Sequence, residues 1–114
     1  MLRIKMINPL DKTLSALSNP TRRLILENLM TGEKTVGELS QPLSISPPAI
    51  SRHLQVLEET NLVRYEKKAQ FRIYSLNREG FDETLDYFEQ YRLYWNQQFD
   101  ALSEQLKKRG LNDE

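Results

Sequence analysis

SPPAISRHLQVLE, residues 46–58, begins with a serine and two prolines and contains no helix breaker after them. A serine side-chain oxygen can accept from an unpaired N–H of a first helical turn, and proline in that turn lacks an N–H that would be unpaired anyway. From Ala49 onward every residue is acceptable in a helix, and Ile50, Leu54 and Leu57 recur at i, i+4 and i+7. That spacing turns one face to a core and leaves the other to solvent. The stretch therefore predicts a helix over 47–60 whose start is fixed by Pro47 and Pro48.

The same device recurs upstream. Asn8-Pro9 and Asn19-Pro20 each precede an apolar series with helical spacing, and Thr35 has Glu38 three residues on, the capping-box arrangement. Helices are thus expected at 9–17, 20–31 and 36–42. Pro42 disfavours helical geometry at Gln41, so the third should close within its second or third turn, before Leu43-Ser44-Ile45. Asn61 follows the fourth helix, where a residue tolerating left-handed geometry is wanted. Next come NLVRYEKK and QFRIYSLN, rich in β-branched and aromatic residues, which predict a hairpin with its polar turn at Lys67-Lys68-Ala69.

Beyond the hairpin, Phe81, Leu85, Phe88, Arg92, Trp95, Phe99, Leu102 and Leu106 are spaced 4-3-4-3-4-3-4, one arginine in an otherwise apolar seam, and no Pro or Gly interrupts 81–109. Such a helix spans roughly 44 Å, longer than a small domain covers from one side. Part of its apolar face must then meet another chain. Tyr87, Tyr91 and Tyr94 form a second stripe, as expected where one face packs on the first helix and another on a partner. An aromatic stripe is more often core than cofactor box and is read so. The surface expected to join two copies as a homodimer comprises Leu10 and Leu14 of the first helix with Phe88, Tyr91, Trp95, Phe99, Leu102 and Leu106 of the last.

At 114 residues and 39% apolar content, the chain is one domain's worth of material. Residues 1–114 are expected to form a single winged-helix domain, with core and wing at 9–77 and a C-terminal dimerisation helix at 78–109. The absence of cysteine excludes disulfides, thiolate metal sites and cysteine nucleophiles. Net charge is zero, yet residues 1–80 hold 12 Lys/Arg against 8 Asp/Glu and residues 81–114 hold 4 against 8. That segregation permits a basic footprint on one region, although a solvated acidic helix beside a mixed domain gives the same count. MLRIKMINPL has basic residues but no apolar run of seven, and no stretch approaches membrane-spanning length, so neither leader nor membrane partner is expected and the cytoplasm is the default. One histidine, no cysteine and four glycines leave no nucleophile–base pair or phosphate-cradling loop, which argues against an enzyme.

Helix, short helix, tight connection, capped helix and hairpin is the order of a winged helix-turn-helix: a mainly α fold with a small β-hairpin and, here, a long C-terminal dimerisation helix. In a helix-turn-helix the start of the second helix enters the DNA major groove. The segments LSNPTRRLILENL, TVGELSQPLSIS, PPAISRHLQVLEETNLV and IYSLN, within about residues 10 to 77, resemble the ArsR-type winged-helix transcriptional regulators of bacteria and archaea. SRHLQVLEETNLV is the most specific of them, and YWNQQFDALSEQL is similar to the last helix of a cysteine-poor subset of that family. The resemblance implies a dimeric repressor that binds a two-fold-symmetric operator in double-stranded DNA and is released by an effector.

The resemblance also implies site residues. The family's recognition-helix contacts match Pro47, Pro48, Ser51 and Arg52, with Ser46 at the cap. Arg52 can donate a fork of hydrogen bonds to guanine O6 and N7 or clamp a phosphate; otherwise it is a solvated surface arginine. Ser51 and Gln55 could reach a base or phosphate, or simply cover helix surface. His53, with no second imidazole or thiol in the chain, reads as a packing or phosphate-contacting residue and not as a metal ligand. Lys67, Lys68, Gln70 and Arg72 suit a wing lying along a phosphate backbone, though lysine also protects sheet edges. The family usually has glycine in that turn and this chain has none. Arg22 and Arg23 could touch phosphate or merely solvate the second helix, and the latter is expected. The cysteines with which many relatives bind metal match Thr35 and Gly37, which cannot ligate as thiolates. Asp82, Glu83, Asp86 and Glu89 are what a helix macrodipole prefers near its N-terminus. No metal or cofactor is expected. An aromatic pocket near Trp95 for a small organic effector is left open, as is regulation without any ligand. The alternative function is a winged helix serving as a protein-interaction module without specific DNA binding.

Overall fold

The computed structural model describes residues 8–110. The basic residues of the N-terminal heptapeptide, weighed above as a leader, lie outside them. The elements run α1 (Pro9–Leu17), α2 (Pro20–Leu29), α3 (Val36–Leu43), α4 (Pro47–Glu59), β1 (Val63–Lys68), β2 (Phe71–Leu76) and α5 (Arg78–Lys108). Two compact units divide the chain between Glu83 and Thr84, so the first turns of α5 belong to the first unit and the remainder forms the second. Among the described residues, no helix is long and apolar enough to cross a membrane.

All four expected caps form. Asn8 accepts from Asp11 N at 2.9 Å, Asn19 from Arg22 N at 3.1 Å, Thr35 from Glu38 N at 3.2 Å and Ser46 from Ala49 N at 3.4 Å. Thr35 and Glu38 complete the expected capping box, and Asn8 with Asp11 forms a second one. α2 ends at Leu29, two residues earlier than expected. α3 runs through Pro42 to Leu43. Pro42 therefore does not stop α3; the helix is closed one residue later by Ser44, at φ 57°, where Ile45 N donates to Ser40 O and Ser44 N to Gln41 O. Asn61 closes α4 by the same motif at φ 64°, Leu62 N donating to Leu57 O at 2.9 Å and Asn61 N to Glu58 O at 3.0 Å.

Ile50, Leu54 and Leu57 are fully buried with Ile25, Leu39 and Leu62, and Tyr74 closes the core from β2. β1 and β2 pair antiparallel from Val63↔Leu76 to Lys68↔Phe71. Lys67 and Lys68 thus belong to β1, and the turn is Ala69-Gln70, not Lys67-Lys68-Ala69. Ala69 takes φ 57°, the conformation that glycine usually supplies in such a turn. A further bridge joins Lys34 to Tyr74 through hydrogen bonds of 2.9 and 2.8 Å, tying the α2–α3 connection to the wing. Gly80 seats the start of α5 against the α4–β1 turn, where a Cβ would lie 1.9 Å from the carbonyl oxygen of Asn61.

Candidate nucleic-acid interface

α4 presents three kinds of surface. Ile50, Leu54 and Leu57 hold it to the core, while Pro47, Pro48, Ser51, Arg52 and Gln55 are exposed. Because 50, 54 and 57 are buried and the start is capped, the exposed residues project from a backbone with a fixed position. Ser46 commits its side chain to the cap. The third surface is His53, half-buried, whose Nδ1 lies 3.4 Å from a guanidinium nitrogen of Arg22. An arginine N–H can only donate, so Nδ1 accepts and the imidazole is neutral. Burial pushes the His53 pKa below its ordinary value, and the Arg22 and Arg52 charges push the same way.

Arg22 and Arg23 are not free to solvate α2. Arg22 Nε donates to Ala16 O at 2.9 Å and Arg23 to Leu17 O at 2.7 Å, so both satisfy carbonyls at the C-terminal end of α1. Arg22 thereby braces α1 and α4 at once. The sequence offered a signal for this, since Arg22 follows the end of α1 by only five residues.

The wing carries the second set of charges. Lys67 and Arg72 are cross-strand partners, and Lys68 pairs with Phe71. Like charges directly opposite each other on an antiparallel pair are destabilising. Arg72 relieves part of that by lying over the Tyr65 ring, 4.3 Å from its centroid. Its pKa is raised chiefly by a hydrogen bond with Tyr74 and then by Tyr65, with Glu58 contributing least. Arg72 is therefore anchored by Tyr65 and Tyr74, on the hairpin face that it shares with its cross-strand partner Lys67. Gln70 is exposed at the tip. Between α4 and the wing runs an open cleft of about 760 Å³, with Ser51, Gln55 and Glu58 on one wall and Gln70, Phe71 and Arg72 on the other. Glu58 and Phe71 were not singled out by sequence reasoning.

Along α5 most of the large apolar residues after Thr84 are exposed. Phe88, Tyr91, Trp95, Phe99 and Leu102 are exposed in the single chain, Trp95 at 55% and Phe99 at 65%. Leu106 is half-buried, as are Leu10 and Leu14 on α1. Arg92, the polar residue in the seam, is paired with Glu89 one turn back. Edge-to-face contacts join Tyr87 to Phe88 and Tyr91, and Tyr94 to Trp95. Near Trp95 there is an open groove of about 400 Å³ along one side of a single helix, bordered by Gln90, Tyr91 and Tyr94. Among the described residues, no group of three or more His, Asp or Glu is placed to hold a metal.

Comparison with known proteins agrees with this geometry. Residues 19–65, from the N-cap of α2 into β1, match the profile of the bacterial regulatory proteins of the arsR family. The transcriptional repressor SdpR of Bacillus subtilis is 35% identical over 78 residues, 68% of this chain and 87% of SdpR. The nodulation protein NolR of Rhizobium meliloti is 44% identical over 62 residues; the match spans 54% of this chain and about half, 51%, of NolR. The crystal structure of the ArsR family transcriptional regulator RHA00566 superposes with a TM-score of 0.70 at 28% identity, over 78% of this chain and 98% of that one. With the helix order, the capped α4, the wing and these likenesses in agreement, the chain belongs to the ArsR family of bacterial regulatory proteins.

Proposed function

We infer that the protein is a sequence-specific DNA-binding transcriptional regulator, a homodimeric repressor acting in the cytoplasm without catalysis. The observation that carries this reading is a capped, exposed helix start beside a wing whose Lys67–Arg72 pair sets two positive charges opposite each other. A phosphate backbone relieves that repulsion, and counterion release makes the association favourable. Ser51, Arg52 and Gln55 then face base edges while the wing follows the backbone. SdpR is named as a repressor, which supports the repressor role.

The second copy is read from α5. Most of its large apolar residues from Leu85 to Leu102 are exposed, an apolar surface that a second copy would cover. A two-fold dimer presents two recognition helices to two half-sites, so the operator is two-fold symmetric.

Selection of bound duplexes from a random-sequence pool, followed by titration of the selected and scrambled duplexes at several salt concentrations, tests the reading. A preferred duplex with two related half-sites is expected. If no duplex is preferred over the pool at any salt concentration, DNA reading is refuted and a protein-interaction module takes its place.

A further inference from the structure

The wing ends in an aromatic side chain that nothing covers. Phe71 is the first residue of β2, paired with Lys68 across the two-residue Ala69-Gln70 turn, and is 54% exposed. On the same strand Ile73 is half-buried and Tyr74 is 5% exposed, so the wing has apolar surface to pack and leaves Phe71 out of it. Around it stand Lys67, Lys68 and Arg72, and the tip residues 67–72 include no carboxylate; the nearest acids in the hairpin and cleft are Glu66 and Glu58. A partner for this tip must be anionic and must also offer apolar surface.

We propose that Phe71 is a sequence-reading residue, an apolar wedge that enters the DNA minor groove and presses against a base step. The proposal rests on the DNA-binding reading above. With the start of α4 in the major groove, one strand's backbone lies along the cleft of about 760 Å³ between α4 and the wing, because that cleft is the space between the two DNA-facing elements. Across that backbone is a minor groove. It is only about 6 Å wide, so a two-stranded hairpin cannot enter it bodily and reads it through its tip side chains. Ala69 is small and Gln70 flexible, which leaves Phe71 as the one rigid apolar group at the tip. Side chains of this type wedge between base steps elsewhere, and the cost of unstacking is least at flexible pyrimidine–purine steps. Lys67 and Lys68 hold the tip to the flanking phosphates. Specificity from the wing would therefore fall on step flexibility across one backbone from the bases Arg52 reads, at positions that Arg52 does not touch.

The test uses the full chain and the duplex recovered by selection, with 2-aminopurine replacing one adenine at a time. Its fluorescence should rise at one step in each half-site when wild type binds, should still rise with Phe71→Leu, and should stay flat with Phe71→Ala. Affinity of Phe71→Ala for the selected duplex should fall about tenfold, as for the removal of one base-pair preference, while its salt dependence stays unchanged because no charge is removed. A bound duplex that brightens nowhere overturns the wedge and leaves DNA reading intact. A shallower salt dependence in Phe71→Ala also overturns it, since Phe71 would then merely support the lysines. Failure to recover any preferred duplex removes the underlying reading itself.

Discussion

Arg52 and His53 are adjacent in the chain and have opposite surroundings. Arg52 stands in solvent at the free face of α4, whereas His53 is half-buried against Arg22, a residue already held by the carbonyl of Ala16. Their substitutions should separate binding from stability. On the proposed bidentate contact to a base, Arg52→Ala should cost about 1–3 kcal/mol on the selected duplex and much less on unrelated DNA, without disturbing the fold. Parallel titrations with both duplexes measure that difference, and equal reductions would reassign Arg52 to phosphate. For His53 the folded pKa is lowered from 6.5, so the unfolded chain takes up the proton first as pH falls. The stabilisation is therefore complete above about pH 6.5, declines as pH drops from there to the folded value, and is constant below it. Urea midpoints of wild type and His53→Gln measured across that window should converge toward acid pH. Parallel curves would mean that neither burial nor the neighbouring Arg22 and Arg52 lowers the His53 pKa on folding.

At the scale of elements, the first unit depends on interactions that differ greatly in how far apart their residues lie. The caps at Asn8, Asn19, Thr35 and Ser46 and the left-handed Asn61 were legible, because each is a short-range interaction between a residue and the adjoining helical turn. α4 was legible for the same reason, and with it the exposed Ser51, Arg52 and Gln55. The wing turn was misplaced because Ala69 carries no side-chain signature of positive φ, and the exit of α3 because the Ser40–Ile45 bond keeps Pro42 helical. The Lys34–Tyr74 bridge, the anchoring of Arg72 by Tyr65 and Tyr74, and the cleft depend on residues that meet only after folding. Gly80 belongs with these. Alanine is favoured over glycine in a helix interior by about 1 kcal/mol, yet Gly80→Ala should destabilise by about 1–3 kcal/mol or more in urea unfolding, because its methyl must displace the Asn61 carbonyl. Gly37→Ala, with nothing nearer than 4.0 Å, is the control and should be neutral or stabilising. In the wing, Lys67→Ala with Lys68→Ala should weaken selected and unrelated duplexes alike. The slope of log affinity against log salt should fall by roughly one for each phosphate that a protomer no longer neutralises, twice that in a dimer. An unchanged slope would place the lysines away from DNA.

Across the whole molecule, charge and apolar surface are distributed by region. The net positive segment contains α4 and the wing, and the net negative segment contains most of α5 with its exposed aromatic residues. In the proposed complex the acidic residues belong to the element that meets a second copy and not to those that meet DNA. In the proposed dimer the apolar face supplies the affinity between copies, and left open in a monomer it would be an aggregation site. Trp95 and Phe99, one helical turn apart on the seam, are two large exposed aromatic residues, so replacing both with glutamine disrupts the proposed interface without removing any intrachain core residue. Wild type should scatter light as a dimer. Trp95→Gln with Phe99→Gln should scatter as a monomer, or aggregate through the aromatic residues that remain, while far-ultraviolet circular dichroism stays helical. Because a monomer engages one half-site at a time, the same variant should bind a single half-site about as well as wild type does and forfeit the gain from the second. An unchanged dimer would show that the seam is not where two copies meet, and the exposed face of α5 would need a different occupant.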